Sequence, residues 1–524
     1  MNPLAGIDAA FLHLETAQMP MHVGALHLLE LPADYAGDFL EHLRAHIAAR
    51  LPLAPVLRRK LATMPLNLAN PSWVEAEPDL QEHIVGYDLP PGSDMAALEQ
   101  QVGLLHTELL DRERPLWKFH VFYGLEPGPE GEQRYGLYTQ LHHAAVDGQA
   151  AVALAGILLD STAKPRKPTT RVAAAAAADT ASSAVAAAEI GTVGLLRSAL
   201  AQQMAQTWQL ARALPGAAGT LSSMAAQTAA DLAGAKLKAW LSSEPQDKEA
   251  SALSLAPRTR LNQSVSAERS FSTISLPLPV LHDVRRRHGA SLNDALLFIC
   301  AGALRRYFSK HGPLPRKSLV AAVPVSMRGS ARMSKANTQA TMSVVSLGTQ
   351  VADPRKRLAY LLEASQTMKG ELERIKSLMP SDYPSLGVPW LMQAGAQLYG
   401  RAHVAERLPT VANLVISNVP GPAQPLYLAG ARVLSMYPAS IVVHGLGLNI
   451  TVQSYADSLD IGLMACAHAL PETNELAAHL EAAFLEFLAL PVAKPASGPA
   501  SKKNTRKPLA KKAPASSTRA RSKG

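Results

Sequence analysis

The sequence predicts an α/β (α+β) protein of two comparable mixed lobes joined by a long helical connection. Three observations carry that prediction. Residues 1–163 and 258–492 each alternate strand-like with helix-like segments. Between them, 164–257 is an alanine-rich insert bounded by Pro165, Pro168 and Pro257. Beyond them, 493–524 holds Pro, Ala, Ser, Lys and Arg with almost no large apolar side chain, so it cannot build a core and is expected to be a disordered basic tail. With 524 residues, 48% of them hydrophobic, the chain is long enough for two to four domains.

In the first lobe, 22–29 (HVGALHLL) reads as a strand. Segment 38–49 has Phe39, Leu43 and Ile47 at helical spacing. Ser93 and Asp94 supply an N-cap for a second helix running to about Leu110. Segments 117–123 (WKFHVFY) and 135–141 (YGLYTQL) are rich in β-formers. In the insert, Val193, Leu196, Leu200, Met204, Trp208 and Ala211 recur every three or four residues, with Arg197, Gln202, Gln203, Gln206, Gln209 and Arg212 on the other sides. That is an amphipathic helix. Three uses stay open for it: packing on its own protein, lying in a membrane interface with Trp208 at its centre, or serving as a loose linker. In the third block, 271–278 is a strand, 292–308 a helix, and 440–455 and 458–465 paired strands. A last helix follows Pro471, with Leu476, Leu480, Phe484 and Leu488 as its stripe.

Composition excludes several classes. The net charge is +9, but 494–524 carry ten basic groups and no acid, which leaves 1–493 at −1. A near-neutral body is no specific nucleic-acid-binding fold, and only the tail offers weak attraction to anionic lipid, polyphosphate or nucleic acid. Two cysteines, Cys300 and Cys466, build neither a disulfide framework nor a Cys-rich zinc module. The opening residues lack a basic stretch followed by an apolar core, and no apolar run reaches 18 residues. A cytoplasmic protein is the expectation. Its mean hydropathy of +0.02 leaves room for one resting on a lipid surface.

The informative stretch is Leu141-His142-His143-Ala144-Ala145-Val146-Asp147-Gly148, directly after a strand. Imidazole is neutral and basic near pH 7. Adjacent histidines at a strand end point to opposite sides, so one can face a cleft while the other packs inward. Asp147, beyond the turn, can fix the backbone that aims the ring, and Gly148 permits a tight turn into an apolar helix at 150–159. As metal ligands, His143 and Asp147 lack a second cluster to complete a site, so no metal is expected. As an ordinary surface turn, the pattern would be about a one-in-a-thousand accident. A general-base histidine is the leading reading. There is no Gly-x-Ser-x-Gly elbow, no Gly-x-x-x-x-Gly-Lys loop, and Gly445 and Gly447 lack the third glycine of a dinucleotide fingerprint. A histidine without a nucleophile partner suits direct transfer, in which it deprotonates an alcohol attacking an activated acyl group.

The histidine motif resembles that of the CoA-dependent acyltransferase superfamily, which includes chloramphenicol acetyltransferase and peptide condensation domains. Over nearly all of 1–490 the chain looks like the bacterial wax ester synthase/acyl-CoA:diacylglycerol acyltransferases. The matching residues are Asp8-Ala9-Ala10-Phe11-Leu12 with Glu15, Pro20-Met21-His22-Val23-Gly24, Arg114-Pro115-Leu116-Trp117, Asn293-Asp294, Pro324-Val325-Ser326-Met327-Arg328 and Ser417-Asn418-Val419-Pro420-Gly421-Pro422. Each is weak alone, but six in the family's order are strong. Ala336-Asn337 stands where the family usually has Gly-Asn.

The resemblance implies two chloramphenicol-acetyltransferase-like lobes with an active-site tunnel between them. Acyl-CoA is then a substrate, with no cofactor, and the acceptor is diacylglycerol or a long-chain alcohol. Contact with a membrane or lipid droplet would be peripheral. His143 becomes the general base, with His142 in a supporting or direct role. Asp147 orients the motif, with Arg328 a candidate partner. Asn293 is either an oxyanion donor or a helix N-cap, with Asp294 favouring the helix dipole. Trp117 suits core or tunnel-wall packing, Ser326 and Arg328 the CoA channel, and 420–422 a crossover between lobes. The same fold with an amine or polyketide-hydroxyl acceptor, or a non-catalytic lipid-granule protein, are the competing readings.

Overall fold

Asp38, Asp94 and Ser291 each set a side-chain oxygen on an amide two or three residues ahead, and a helix follows each of them. Those helices are Phe39–Arg50, Met95–Leu105 and Leu292–Lys310. The computed structural model describes residues 2–4, 6–62, 71–146, 148–166, 256–326, 340–376, 406–407 and 409–491. Asp147, Arg328, the Ala336-Asn337 pair, the 193–211 amphipathic stretch and the 493–524 tail lie outside the described residues. No helix among the described residues is long and apolar enough to cross a membrane.

Two six-stranded sheets organise the molecule. The first runs, edge to edge, β12 (Tyr427–Leu428), β13 (Ala431–Ala439), β2 (His22–Glu30), β7 (Arg134–His142), β6 (Trp117–Leu125) and β5 (Ile84–Ser93). The second runs β10 (Ala340–Ser346), β9 (Val320–Ser326), β11 (Leu414–Val419), β14 (Leu448–Tyr455), β15 (Ser458–Cys466) and β8 (Arg269–Pro277). A small third sheet joins β1 (Asn2–Pro3), β4 (Ser72–Glu75) and β3 (Arg59–Ala62). The two-lobed α/β architecture is therefore as expected.

Alternation along the strands assigns each face a partner. The outer face of the second sheet, with Leu448, Ile450, Ile461 and Leu463, packs under helices Leu292–Lys310 and Thr473–Leu488. The outer face of the first, with Leu29, Leu137 and Val121, packs under Phe39, Leu43 and Ile47 of one helix and Leu154 and Leu158 of another. Between the sheets Leu26, Phe122 and Tyr138 meet Phe271 and Met464, with Leu98 and Val102 wedged at one side. At their closest crossing, Gly462 of β15 lies against β13. A Cβ there would come 1.8 Å from the Pro438 carbonyl oxygen, so only glycine fits.

The chain exchanges between lobes. After β11 in the second sheet, Pro420-Gly421-Pro422 leads into β12 and β13, which join the first sheet, with Ala439 opposite Gly24 and Arg432 opposite Glu30. It then returns as β14. The strand expected over 440–455 accordingly begins only at Leu448. Residues 440–447 form the return loop, turned tightly at Gly445 (φ 82°) and held by Gly447 N donating to the Leu261 carbonyl. The helix expected to reach about Leu110 stops at Leu105. There His106 turns into the core, its Nδ1 2.6 Å from the Tyr138 hydroxyl and its carbonyl 2.9 Å from His22 Nε2.

Candidate active site

Strand β7 ends on His142, directly opposite His22 of β2. The backbone there is gripped from two sides: His142 N donates to the Leu116 carbonyl (3.0 Å) and His143 N to that of Met21 (2.8 Å). The chain then turns, with Ala145 N and Val146 N both donating to the His142 carbonyl and Arg59 donating to that of Ala145. Helix Gly148–Leu158 follows. The two histidines thus sit at a strand-to-helix turn, one on the last strand residue and one in the turn itself.

Their surroundings differ. His142 is sealed, 0% exposed. Ala144 N donates to its Nδ1 (3.0 Å), which makes Nδ1 the acceptor and puts the ring proton on Nε2. Nε2 lies 3.1 Å from Glu15 Oε1. The other carboxylate oxygen of Glu15 accepts from Arg112 Nη2 (2.7 Å) and Nε (3.2 Å), and Met21 N donates to Oε1 (3.3 Å). Burial alone would raise the Glu15 carboxyl, but the His142 contact and the Arg112 charge outweigh it and hold the group at about 2. Glu15 is a buried carboxylate at neutral pH.

His143 is half-buried, and its ring stacks on Phe11 with centroids 4.1 Å apart and planes 14° from parallel. Phe11 also packs on a cluster drawn from both lobes, comprising Met19 and Met21 of the first and Val265, Ile441, Val443 and Cys466 of the second. The His143 ring therefore lies at the apolar seam between the two sheets. A half-buried imidazole between apolar walls can bring a base to a greasy hydroxyl while excluding bulk water.

The remaining candidates are dispersed. Trp117 is buried on the outer face of the first sheet, its Nε1 donating to the Leu57 carbonyl (3.0 Å) and its ring stacked on His83 at 4.3 Å. Asn293 is the second residue of helix Leu292–Lys310, which covers the outer face of the second sheet. That helix is capped by Ser291, not by Asn293. Ser291 N and Oγ donate to Asp294 Oδ2 (2.9 and 2.6 Å), and Ser365 Oγ donates to Oδ1 (2.6 Å). Ser326 ends β9 opposite Ala340. Gly148 is the first residue of its helix. Elsewhere, His311, Glu472 and Glu475 are close enough to one another to hold a cation, but Lys310 Nζ already sits 3.0 Å from Glu475.

Two neighbours of the histidines, Phe11 and Glu15, were visible in the sequence only as parts of a matching motif; Arg112 carried no signal. Glu15 is the one acid in residues 9–29, which was the available clue to it.

A polar chain continues inward from this site. Gln140 Nε2 lies 2.9 Å from His22 Nε2, Gln140 Oε1 3.2 Å from His120 Nε2, and His120 Nδ1 3.2 Å from the Tyr87 hydroxyl. Burial pushes His22 and His120 down to about 4, so these rings are neutral in the folded protein.

Comparison with known proteins identifies the family. The family model for the wax ester synthase/diacylglycerol acyltransferase catalytic domain matches residues 4–296, and that for the WS/DGAT C-terminal domain matches 337–487. An O-acyltransferase of Acinetobacter baylyi is 33% identical over 491 residues, covering 92% of this chain and 96% of that protein. A putative diacylglycerol O-acyltransferase of Mycobacterium tuberculosis is 32% identical over 485 residues, covering 92% and 99%. The solved wax ester synthase/diacylglycerol acyltransferase of Marinobacter aquaeolei superposes with a TM-score of 0.61 at 29% identity, covering 93% and 98%. The chain belongs to the wax ester synthase/diacylglycerol acyltransferase family.

Proposed function

We propose that this protein is an acyl-CoA-dependent O-acyltransferase that moves a fatty acyl group onto diacylglycerol, a long-chain alcohol, or both, with His143 as general base. The observation that carries this is the contrast within the histidine pair. His142 has its acceptor nitrogen occupied by an amide and its ring sealed, whereas His143 is half-buried at the apolar seam between the sheets. In this reading His143 takes the hydroxyl proton as the oxygen attacks the thioester carbonyl. The CoA thiolate departs and is protonated without an acyl-enzyme. His142 supports the turn, and orienting the motif is the role the resemblance implies for Asp147 and Gly148. Trp117 acts through packing, and CoA binding is the role the resemblance implies for Ser326 and Arg328. Asn293 is not the cap of its helix, which leaves it the oxyanion-donor role that the family resemblance implies. Acyl-CoA, charged at one end, and a wholly greasy acceptor would enter by opposite mouths of a tunnel along the seam. A membrane or lipid inclusion would supply the acceptor by peripheral contact.

The test is thin-layer analysis of products from purified protein given labelled palmitoyl-CoA with hexadecanol or diolein. Wild type makes wax ester or triacylglycerol, and His143→Ala, still folded, makes neither. Near-normal turnover by His143→Ala, or exclusive amide formation across an acceptor panel, overturns the proposal.

A further inference from the structure

We infer that Glu15 is a positioning residue for the reaction, acting through His142 to hold the turn that carries His143. This rests on the reading of His143 as the base. Helix Gly6–Leu14 and the residue after it make two contacts with the histidine pair: Phe11 stacks on the ring of His143, and Glu15 faces the ring of His142. Through the second contact the carboxylate fixes a chain of geometry. Glu15 Oε1 takes the Nε2 side of His142, which leaves Nδ1 free to accept from Ala144 N at 3.0 Å. That amide belongs to the residue directly after His143, so the ring of His142 anchors the backbone on the far side of the base. On the near side, Met21 holds His143 N through its carbonyl and Glu15 Oε1 through its own amide. Glu15 therefore touches both supports of the turn.

The arrangement also fixes the charge beside the base. Arg112 donates twice to Glu15 Oε2 and once to the Leu12 carbonyl (2.8 Å), so carboxylate and guanidinium compensate each other. The Arg112 side chain is 41% exposed and that of Glu15 2%. The negative partner is thus the buried one, and its field acts on the imidazoles with less screening than that of the arginine. A buried anion favours the protonated form of a neighbouring imidazole. Removing the anion while keeping Arg112 leaves an uncompensated cation beside the histidine pair, and removing Arg112 while keeping the anion leaves an uncompensated buried negative charge there.

The experiment compares Glu15→Gln, Arg112→Gln and His143→Ala in the full chain, using palmitoyl-CoA and hexadecanol over a pH series. Circular dichroism and thermal melts verify folding. For Glu15→Gln the expected result is a ten- to hundred-fold fall in kcat, the scale of losing alignment at a reacting group, with KM for palmitoyl-CoA changed less than about two-fold. The acid limb of kcat/KM moves down by roughly half a pH unit. For Arg112→Gln the limb moves up. Wild-type kcat and an unmoved limb in folded Glu15→Gln overturn the inference. A fall in kcat with the limb unmoved in both variants reduces Glu15 to packing and overturns it too. Should Glu15→Gln not fold, the direction of the Arg112→Gln limb decides alone. Turnover by His143→Ala would instead sink the base assignment, and this inference with it.

Discussion

Asp460 joins the two sheets where the crossover strand passes, and replacing it separates two roles of a buried carboxylate. The side chain projects from β15 with 0% exposure. One oxygen accepts from Met436 N (2.7 Å), an amide just past the irregularity between Val433 and Ser435 where β13 slips its register with β2. The other accepts from Ser275 Oγ (2.7 Å) and from Ser458 Oγ. Asp460→Ala removes all three acceptances and leaves a buried amide unpaired. At about 1–3 kcal/mol for such an orphan, plus smaller losses at the hydroxyls, the cost is about 2–4 kcal/mol. Asp460→Asn keeps an oxygen for Met436 and turns its amine toward the serine hydroxyls, which can accept. Burial raises the Asp460 carboxyl despite these hydrogen bonds. A carboxyl raised on folding holds its proton more tightly in the native state, so its stabilising contribution is present below the unfolded pKa and lost as pH rises through the folded one. Asparagine lacks that loss. Asp460→Asn is therefore expected to match or exceed wild type at pH 8, with Asp460→Ala well below both. For a cooperative unit ending at Leu490, unfolding entropy of about 2 cal/mol/K per residue makes 2–4 kcal/mol a fall of about 2–4 °C in Tm. Calorimetry at pH 5.5 and 8 reads it. Equal destabilisation by Asn and Ala would refute the reasoning, because it would mean the charge itself holds the crossover.

Other expectations follow from the same packing. Gly462→Ala drives a methyl into the Pro438 carbonyl and should yield insoluble or grossly destabilised protein; a soluble variant with wild-type Tm would mean the sheets separate freely. Trp117→Phe strands the Leu57 carbonyl and should cost about 1–2 kcal/mol while leaving kcat near wild type; a selective change in acyl-chain preference would put the ring in a tunnel wall instead. Burial holds His22, His27 and His120 at about 4, so the unfolded chain binds more protons than the folded one as pH drops from about 6.5 toward 4. Stability should fall across that window. An unchanged Tm between pH 7 and 4.5 would contradict it.

What the sequence disclosed was what local pattern can carry. The end of β7, the turn and the following helix are written in consecutive residues, and so are the helices capped by Asp38 and Asp94. Ser291-Leu292-Asn293-Asp294 holds a readable capping box, in which Ser291 and not Asn293 is the cap. Strand β5 hid behind Pro90 and Pro91, which an edge strand tolerates because one side of its backbone needs no donor. Strand β13 hid for a related reason. It contains Pro438 and lies inside a sheet, yet β12 pairs with it only at Arg432 and Ala431. By Pro438 the strand has β2 on one flank alone, and the missing donor faces no partner strand. Glu15 was unreadable in a different sense. It stands 127 positions before His142, and a buried acid is interpretable only once something shows which base it faces. The periodicities that reveal strands and helices describe neighbours in the chain, whereas the contacts around His143 join 11–21, 112–116 and 142–146 with a loop from the far lobe. The residues nearest the base were the ones that local reasoning had least means to assign.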